Sequence, residues 1–233
     1  MALPFFYLSD YDGTKQFQLD EANSRHAIAV LRMQEGEELL LTDGKGMTLR
    51  CRITEAHKKR AGVQVIDSEQ ETDLRPDVTI AISPVKNLTR FEWFLEKVTE
   101  IGIRRIIPMI ALRTEKQQFR QERMQQILIS AMLQSQQVWL PELTQPLKYV
   151  DLLKLESYSR KWIAHCLETE RKSLRSAAAS GQSQLLLIGP EGDFSPEEIE
   201  QAIHSGFVPV TLGNTRLRTE TAGVVGATLL CIN

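Results

Sequence analysis

Apolar and polar positions along the chain fall into two rhythms. Through the first 70 or so residues, the runs are short and only partly alternate apolar with polar side chains: PFFYL, KQFQL, EELLLTD, MTLRCRI and AGVQVID. Turn signals such as Asp12-Gly13 and Asp43-Gly44 separate these runs, so each is predicted to be a strand with one face buried. One helix is expected among them, over residues 20–33, where Ala27, Ile28, Val30 and Leu31 fall near helical spacing. Several short strands and one helix predict a small barrel. The polar stretch SEQETDLRP, residues 68–76, is the natural boundary. Beyond it, strands alternate with helices. Strands are expected over 78–83, 105–110 and 161–166, and helices over 89–101 and 120–138. The first of those helices gathers Phe91, Phe94, Leu95, Val98 and Ile101 on one side and ends at Gly102. Such alternation predicts a parallel sheet covered by helices on both faces.

The C-terminal stretch is the most informative. Leu185 to Ile188 stop abruptly at Gly189-Pro190-Glu191-Gly192, as a buried parallel strand stops at a tight turn. Ser195 and Pro196 then open a helix, with Glu197 and Glu198 at the positive end of its dipole. A second strand, 207–212, is closed by Gly213, and the polar segment 214–220 leads into a small apolar helix, 221–230. Two strand ends and one polar loop are thus expected to converge near one edge of a sheet, where open α/β folds place ligands. On pattern alone, an ordinary strand–turn–helix repeat explains the stretch equally well.

Composition narrows the function classes. The 42% apolar and 25% charged content over 233 residues is ordinary for a soluble globular protein. No apolar run approaches the roughly 18 residues of a membrane span, and the start, MALPFFYLSDYDG, lacks a basic n-region and a long apolar core, so a cytoplasmic protein is expected. Cys51, Cys166 and Cys231 are widely separated and odd in number, and the four histidines show no HxxxH or HExxH spacing. No metal site and no disulfide framework is expected. A net charge of −2 counts against a nucleic-acid partner unless positive charge is clustered. Arg25, Arg32, Arg50, Arg52, Lys58, Lys59 and Arg60 offer such a cluster. No P-loop or dinucleotide fingerprint is present.

IGPEGDFSPEEIE, followed after a short helix and strand by LG and then LRTETA, resembles the RsmE family of ribosomal RNA methyltransferases, in the SPOUT superfamily. RHAIAVLRMQEGEELLLTDGKG resembles that family's N-terminal PUA-like barrel, and PVKNLTRFEWFLEKVTEIGIRRIIPMIALRTEK its first α/β unit. AMLQSQQVWLPEL resembles a family motif, with departures at Leu133 and Gln137; others lie at Asp193, where glycine is usual, and at Asn214-Thr215-Arg216. The resemblance covers essentially the whole chain. It implies a PUA-like RNA-binding β-barrel over 1–71 and, over 72–233, an α/β SPOUT domain with a parallel sheet and a deep trefoil knot. It also implies a homodimer that binds S-adenosylmethionine and methylates N3 of a uracil in 16S rRNA of the small ribosomal subunit.

The cofactor positions carried over from the motif are Ile188, Gly189, Pro190, Glu191, Gly192, Leu212, Gly213, Leu217, Arg218, Thr219, Glu220, Thr221 and Ala222. Turns with free backbone groups read an adenine edge, and glycine permits close approach. Methyl transfer from a sulfonium needs no metal, only in-line positioning. N3 of uracil carries a proton at neutral pH, so a base or a cation aimed at the uracil carbonyls is required. The candidates are Arg218, Glu220 and His165, and Arg25, His26, Arg32, Lys86 and Arg90 are the candidate RNA contacts. Each also has a plain structural reading, as an ion pair, a helix cap, a satisfied histidine or a solvated position. A non-catalytic ribosome-assembly factor, and a SPOUT enzyme acting on another RNA such as tRNA, stay open as alternatives.

Overall fold

The computed structural model describes residues 3–115, 119–168, 170–178 and 181–232. The chain divides into two compact units, residues 1–73 with 132–140, and residues 74–131 with 141–233.

In the first unit the strands are β1 (Phe5–Tyr7), β2 (Gln16–Gln18), β3 (Glu38–Thr42), β4 (Met47–Glu55) and β5 (Gly62–Gln70), with helix α1 (Glu21–Arg25) between β2 and β3. They pair in the order β1-β3-β4-β5-β2, parallel between β1 and β3 and antiparallel elsewhere. The period-2 pattern sets the faces: Leu49, Cys51 and Ile53 of β4 are buried with Leu39 and Leu41 of β3, while Arg50 and Arg52 point outward to Glu38. The helix expected over 20–33 is shorter. Asp20 caps α1 by accepting the Asn23 N–H at 2.7 Å, and after Arg25 the backbone widens into a π-turn, His26–Val30. The wide turn buries Ala27 and leaves Val30 and Leu31 exposed, and Arg32, at φ 59°, reverses the chain so that Met33 is buried too. Segment 132–140 joins this unit: Trp139 bridges Lys45, and a Cβ on Gly46 (φ 92°) would lie 2.3 Å from the Trp139 ring.

The second unit contains β6 (Val78–Ile82), α2 (Leu88–Ile101), β7 (Arg105–Ile110), α3 (Gln121–Gln134, whose last turn belongs to the first unit), β8 (Glu142–Leu143), β9 (Leu147–Lys148) and α4 (Tyr149–Leu152). There follow β10 (Arg160–Ala164), β11 (Lys172–Ser173), α5 (Leu174–Ala177), β12 (Gln184–Ile188), α6 (Pro196–His204), β13 (Val208–Thr211) and α7 (Thr219–Cys231). The helix expected to reach residue 138 ends at Gln134, because Gln136 turns left-handed at φ 56° and Gln137 N–H returns to the Met132 carbonyl.

The sheet order is β11-β13-β10-β12-β6-β7-β8, with β9 also on β7, and every pairing is parallel. β6 and β12 are buried throughout, which explains their unbroken apolar sequences. Alternation still assigns their faces. Leu185 and Leu187 pack with Tyr149, Phe194 and Ile199, while Leu186 lies under Gly226 of α7. Gly223 brings α7 against Ile82 and Phe94; a Cβ there would sit 2.5 Å from the Phe94 ring. α2 ends in a left-handed Gly102 at φ 88°, and Ile103 N–H returns to the Val98 carbonyl.

Candidate active site

Three parallel strands end side by side: β12 at Ile188, β10 at Ala164 and β13 at Thr211. The expected pair of strand ends, 188 and 212, are not neighbours, because β10 lies between them. Ala164-His165-Cys166 is therefore carried into the middle of the site. The loops after these strands and the start of α7 enclose a cavity of about 660 Å³, within the roughly 300–1,000 Å³ typical of small-molecule sites.

Its form follows from local chemistry. Pro190 to Asp193 make a tight turn closed by the Asp193 N–H on the Pro190 carbonyl, with Asp193 at φ 63°. Aspartate tolerates that conformation better than most side chains. Gly189 lies against buried Phe194, whose ring would stand 3.0 Å from any Cβ. α6 then opens with a reciprocal capping box between Ser195 and Glu198, whose other oxygen accepts the Leu112 N–H at 2.8 Å. A rigid helix thus anchors the loop that shapes the cavity.

Of the expected cofactor positions, Ile188, Gly189, Pro190, Glu191, Leu212, Gly213, Leu217, Arg218, Thr219 and Ala222 line the cavity, as do His165 and Arg90. Gly192, Glu220 and Thr221 do not. Gly192 turns its carbonyl to Arg113 Nη1 at 2.7 Å. Glu220 points inward at the first turn of α7, 5% exposed, with Oε1 3.8 Å from Arg90 Nε. Its Oε2 has no hydrogen-bond partner among the described residues. Thr221 is the next position around the same turn and is half-buried. Among the candidate RNA contacts, Arg25, His26 and Arg32 are exposed in the first unit, His26 standing edge-on to Phe6 with ring centroids 5.4 Å apart. Lys86 is exposed and pairs with Glu115 at 3.2 Å. Arg90 bridges Glu191 at 3.9 Å and Glu220.

Cys166, Arg171, Asp193 and Arg216 also line the cavity, and sequence reading gave none of them a role there. Asp193 Oδ2 accepts the Cys166 N–H at 2.8 Å, and Arg171 donates to the His165 carbonyl at 2.6 Å. The backbone on both sides of the imidazole is thereby pinned. An aspartate at the end of a glycine turn was the one visible signal; the strand order that brings it to Cys166 was not.

His165 is 5% exposed and neither ring nitrogen has a hydrogen-bond partner among the described residues. Burial holds its pKa below the ordinary histidine value, with Asp193 opposing the shift and Arg171 adding to it. The imidazole is accordingly neutral at neutral pH. Burial raises the Cys166 thiol pKa, and Asp193 adds to that rise. Buried polar atoms without partners inside a cavity are completed by a polar ligand. A nucleoside-bearing cofactor fits this requirement: apolar Ile188, Leu212 and Leu217 suit an adenine face, and the turn amides suit its edge.

Family models agree on both units. Residues 72–231 match an RNA methyltransferase domain, and residues 19–66 match an RNA methyltransferase PUA domain. The chain is 32% identical over 215 residues to the ribosomal RNA small subunit methyltransferase E of Synechocystis sp., covering 89% of this chain and 70% of that protein. Its fold superimposes with a TM-score of 0.91 and 38% identity on a Porphyromonas gingivalis protein assigned to the rRNA methyltransferases, covering 97% and 96% of the two chains. The S-adenosylmethionine-bound ribosomal RNA small subunit methyltransferase E of Neisseria gonorrhoeae matches with a TM-score of 0.85 and 30% identity, over 97% of this chain and 96% of that one. A parallel α/β sheet with a strand-end cavity, joined to a PUA-like unit, defines an RNA methyltransferase of two units. The chain belongs to the ribosomal RNA small subunit methyltransferase E family, RsmE.

Proposed function

We propose that this protein is an S-adenosylmethionine-dependent methyltransferase that methylates N3 of a uridine in 16S rRNA of the small ribosomal subunit. The observation that carries the reading is the convergence of Gly189–Glu191, Leu212-Gly213 and Leu217–Thr219 on one cavity at the carboxyl ends of β10, β12 and β13. Residues 1–71 serve as the PUA-like RNA-binding domain and residues 72–233 as the methyltransferase domain, with segment 132–140 packed in the first unit. On the family resemblance, we take the second domain to carry a trefoil knot. We take the active form to be a cytoplasmic homodimer, on the family resemblance.

The bound cofactor supplies a methyl group made electrophilic by its sulfonium. The turn amides after β12 and β13 hold the nucleoside, with glycine at 189 and 213 admitting the backbone to close range. In this reading Arg218, exposed at the N-cap of α7, stabilises negative charge on the uracil carbonyls as N3 loses its proton. His165, neutral and with no hydrogen-bond partner among the described residues, can accept that proton, and Glu220 holds Arg90 at the cavity wall. The target base lies within structured RNA and must be unstacked to reach the pocket.

The test is methyl transfer from labelled S-adenosylmethionine to small ribosomal subunits lacking the modification, with naked 16S rRNA and tRNA in parallel. Nucleoside analysis should find 3-methyluridine in the small-subunit RNA. Cofactor binding without transfer to any of these RNAs would refute the target, and no cofactor binding would refute the enzyme.

A further inference from the structure

The chain as a whole carries a charge of −2, yet four arginines and two carboxylates line the cavity. The two carboxylates are already engaged. Glu191 faces Arg90 at 3.9 Å, and both oxygens of Asp193 accept backbone N–H groups, from Cys166 and Phe194. The remaining three arginines have no carboxylate partner among the described residues. Arg171 donates only to the neutral His165 carbonyl, and Arg216 and Arg218, both exposed, have no side-chain hydrogen bond or ion pair among the described residues. Arg171 and Arg216 also lie near enough to the Cys166 thiol to act on it electrostatically. Uncompensated positive charge is therefore concentrated on the rim of one cavity of a net-negative chain.

We infer that Arg171 and Arg216, beside Arg218, form an anion subsite at the mouth of the cavity that grips the RNA phosphodiester backbone on either side of the target nucleotide, while Arg218 faces the base. The inference rests on the RNA methyltransferase reading and extends it to residues that reading did not use. A uridine turned into the pocket leaves its own 5′ and 3′ phosphates at the rim, where planar guanidinium forks meet phosphate oxygens with two parallel bonds. Three cations exceed what the single carboxylate of the cofactor requires, and the two besides Arg218 match the two phosphates in number. The basic excess that an acidic chain needs in order to hold RNA is thus supplied at the site of the chemistry.

The experiment compares wild type with Arg216→Gln, Arg216→Lys and Arg171→Gln. Arg216 is exposed and has no side-chain bond to lose among the described residues, so its variants test binding and not folding. Cofactor affinity is measured by calorimetry without RNA. RNA affinity is measured on 16S transcript and on unmethylated small subunits between 50 and 200 mM salt, and methyl transfer gives kcat and the KM for RNA. Each Gln variant should weaken RNA binding about 3- to 10-fold and flatten the slope of log affinity against log salt by about 0.7. In Arg216→Gln the loss should fall on the KM for RNA, with cofactor affinity unchanged, and Arg216→Lys should keep the salt slope. An unchanged slope in Arg216→Gln overturns the inference. So does lost cofactor affinity with RNA binding intact, which would assign the rim to the cofactor carboxylate. A wild type that methylates no RNA would bring down the enzymatic reading itself, a result distinct from either.

Discussion

Asp193 accepts the Cys166 N–H at 2.8 Å with one carboxylate oxygen and the Phe194 N–H at 2.9 Å with the other. One side chain in a left-handed turn thus ties the loop after β12 to the loop after β10. Asp193→Ala loses both bonds and leaves a Cβ residue at φ 63° without compensation, so it should destabilise the fold by about 1–3 kcal/mol. It should also weaken cofactor binding, because two cavity walls come apart. Asp193→Asn, which keeps one acceptor and tolerates the backbone, should fall between it and wild type. Urea denaturation and calorimetry measure the two effects.

His165 is buried with a folded pKa below its ordinary value. Below the unfolded pKa the unfolded chain binds a proton that the folded site resists. The stability contributed by the neutral imidazole is therefore full above about pH 6.5 and declines as pH falls from there toward the folded pKa. His165→Gln should flatten that part of the stability–pH curve, as read from midpoints of chemical denaturation. If wild type and variant lose stability in parallel between pH 7 and 5, the imidazole is not held neutral by burial.

Gly223 lies where a Cβ would come within 2.5 Å of the Phe94 ring and 2.8 Å of Ile82 Cδ1. Gly223→Ala should therefore destabilise the second unit by about 1–3 kcal/mol, as overpacking does. The gain in helix propensity of about 1 kcal/mol offsets only part of the strain. A raised midpoint in thermal denaturation would contradict the close seat of α7.

Cys166 is the exposed thiol, whereas burial lifts Cys51 to a pKa of about 11 and Cys231 to about 12. A maleimide should label the native protein first at Cys166, identified by peptide mass. S-adenosylmethionine should slow that labelling, because Cys166 lines the cavity. Equal rates with and without the cofactor would place it elsewhere.

By itself the sequence determined the main elements of both units, though not the short β8, β9, α4, β11 and α5. Period-2 runs became β1 to β5, the unbroken apolar runs became the buried strands β6 and β12, and Ser195-Pro196 opened α6 with its full capping box. These outcomes depend on local propensity and on which face each side chain must bury, and both can be read along the chain. The glycine turn at 189–192 and the segment 217–219 were legible as site segments only through the family motif they resemble. What the tertiary structure alone decided was adjacency. Inserting β10 between β12 and β13 put His165 between the two motif loops, bound Asp193 to Cys166 across the site, and brought Arg171 and Arg216 to one rim. It also decided that Glu220 would turn inward beside Arg90 and that the wide turn at His26–Val30 would cut short the expected helix. Parallel pairing joins residues far apart in sequence through contacts that no local periodicity encodes, so strand order, and the chemistry it assembles, exists only in the folded chain.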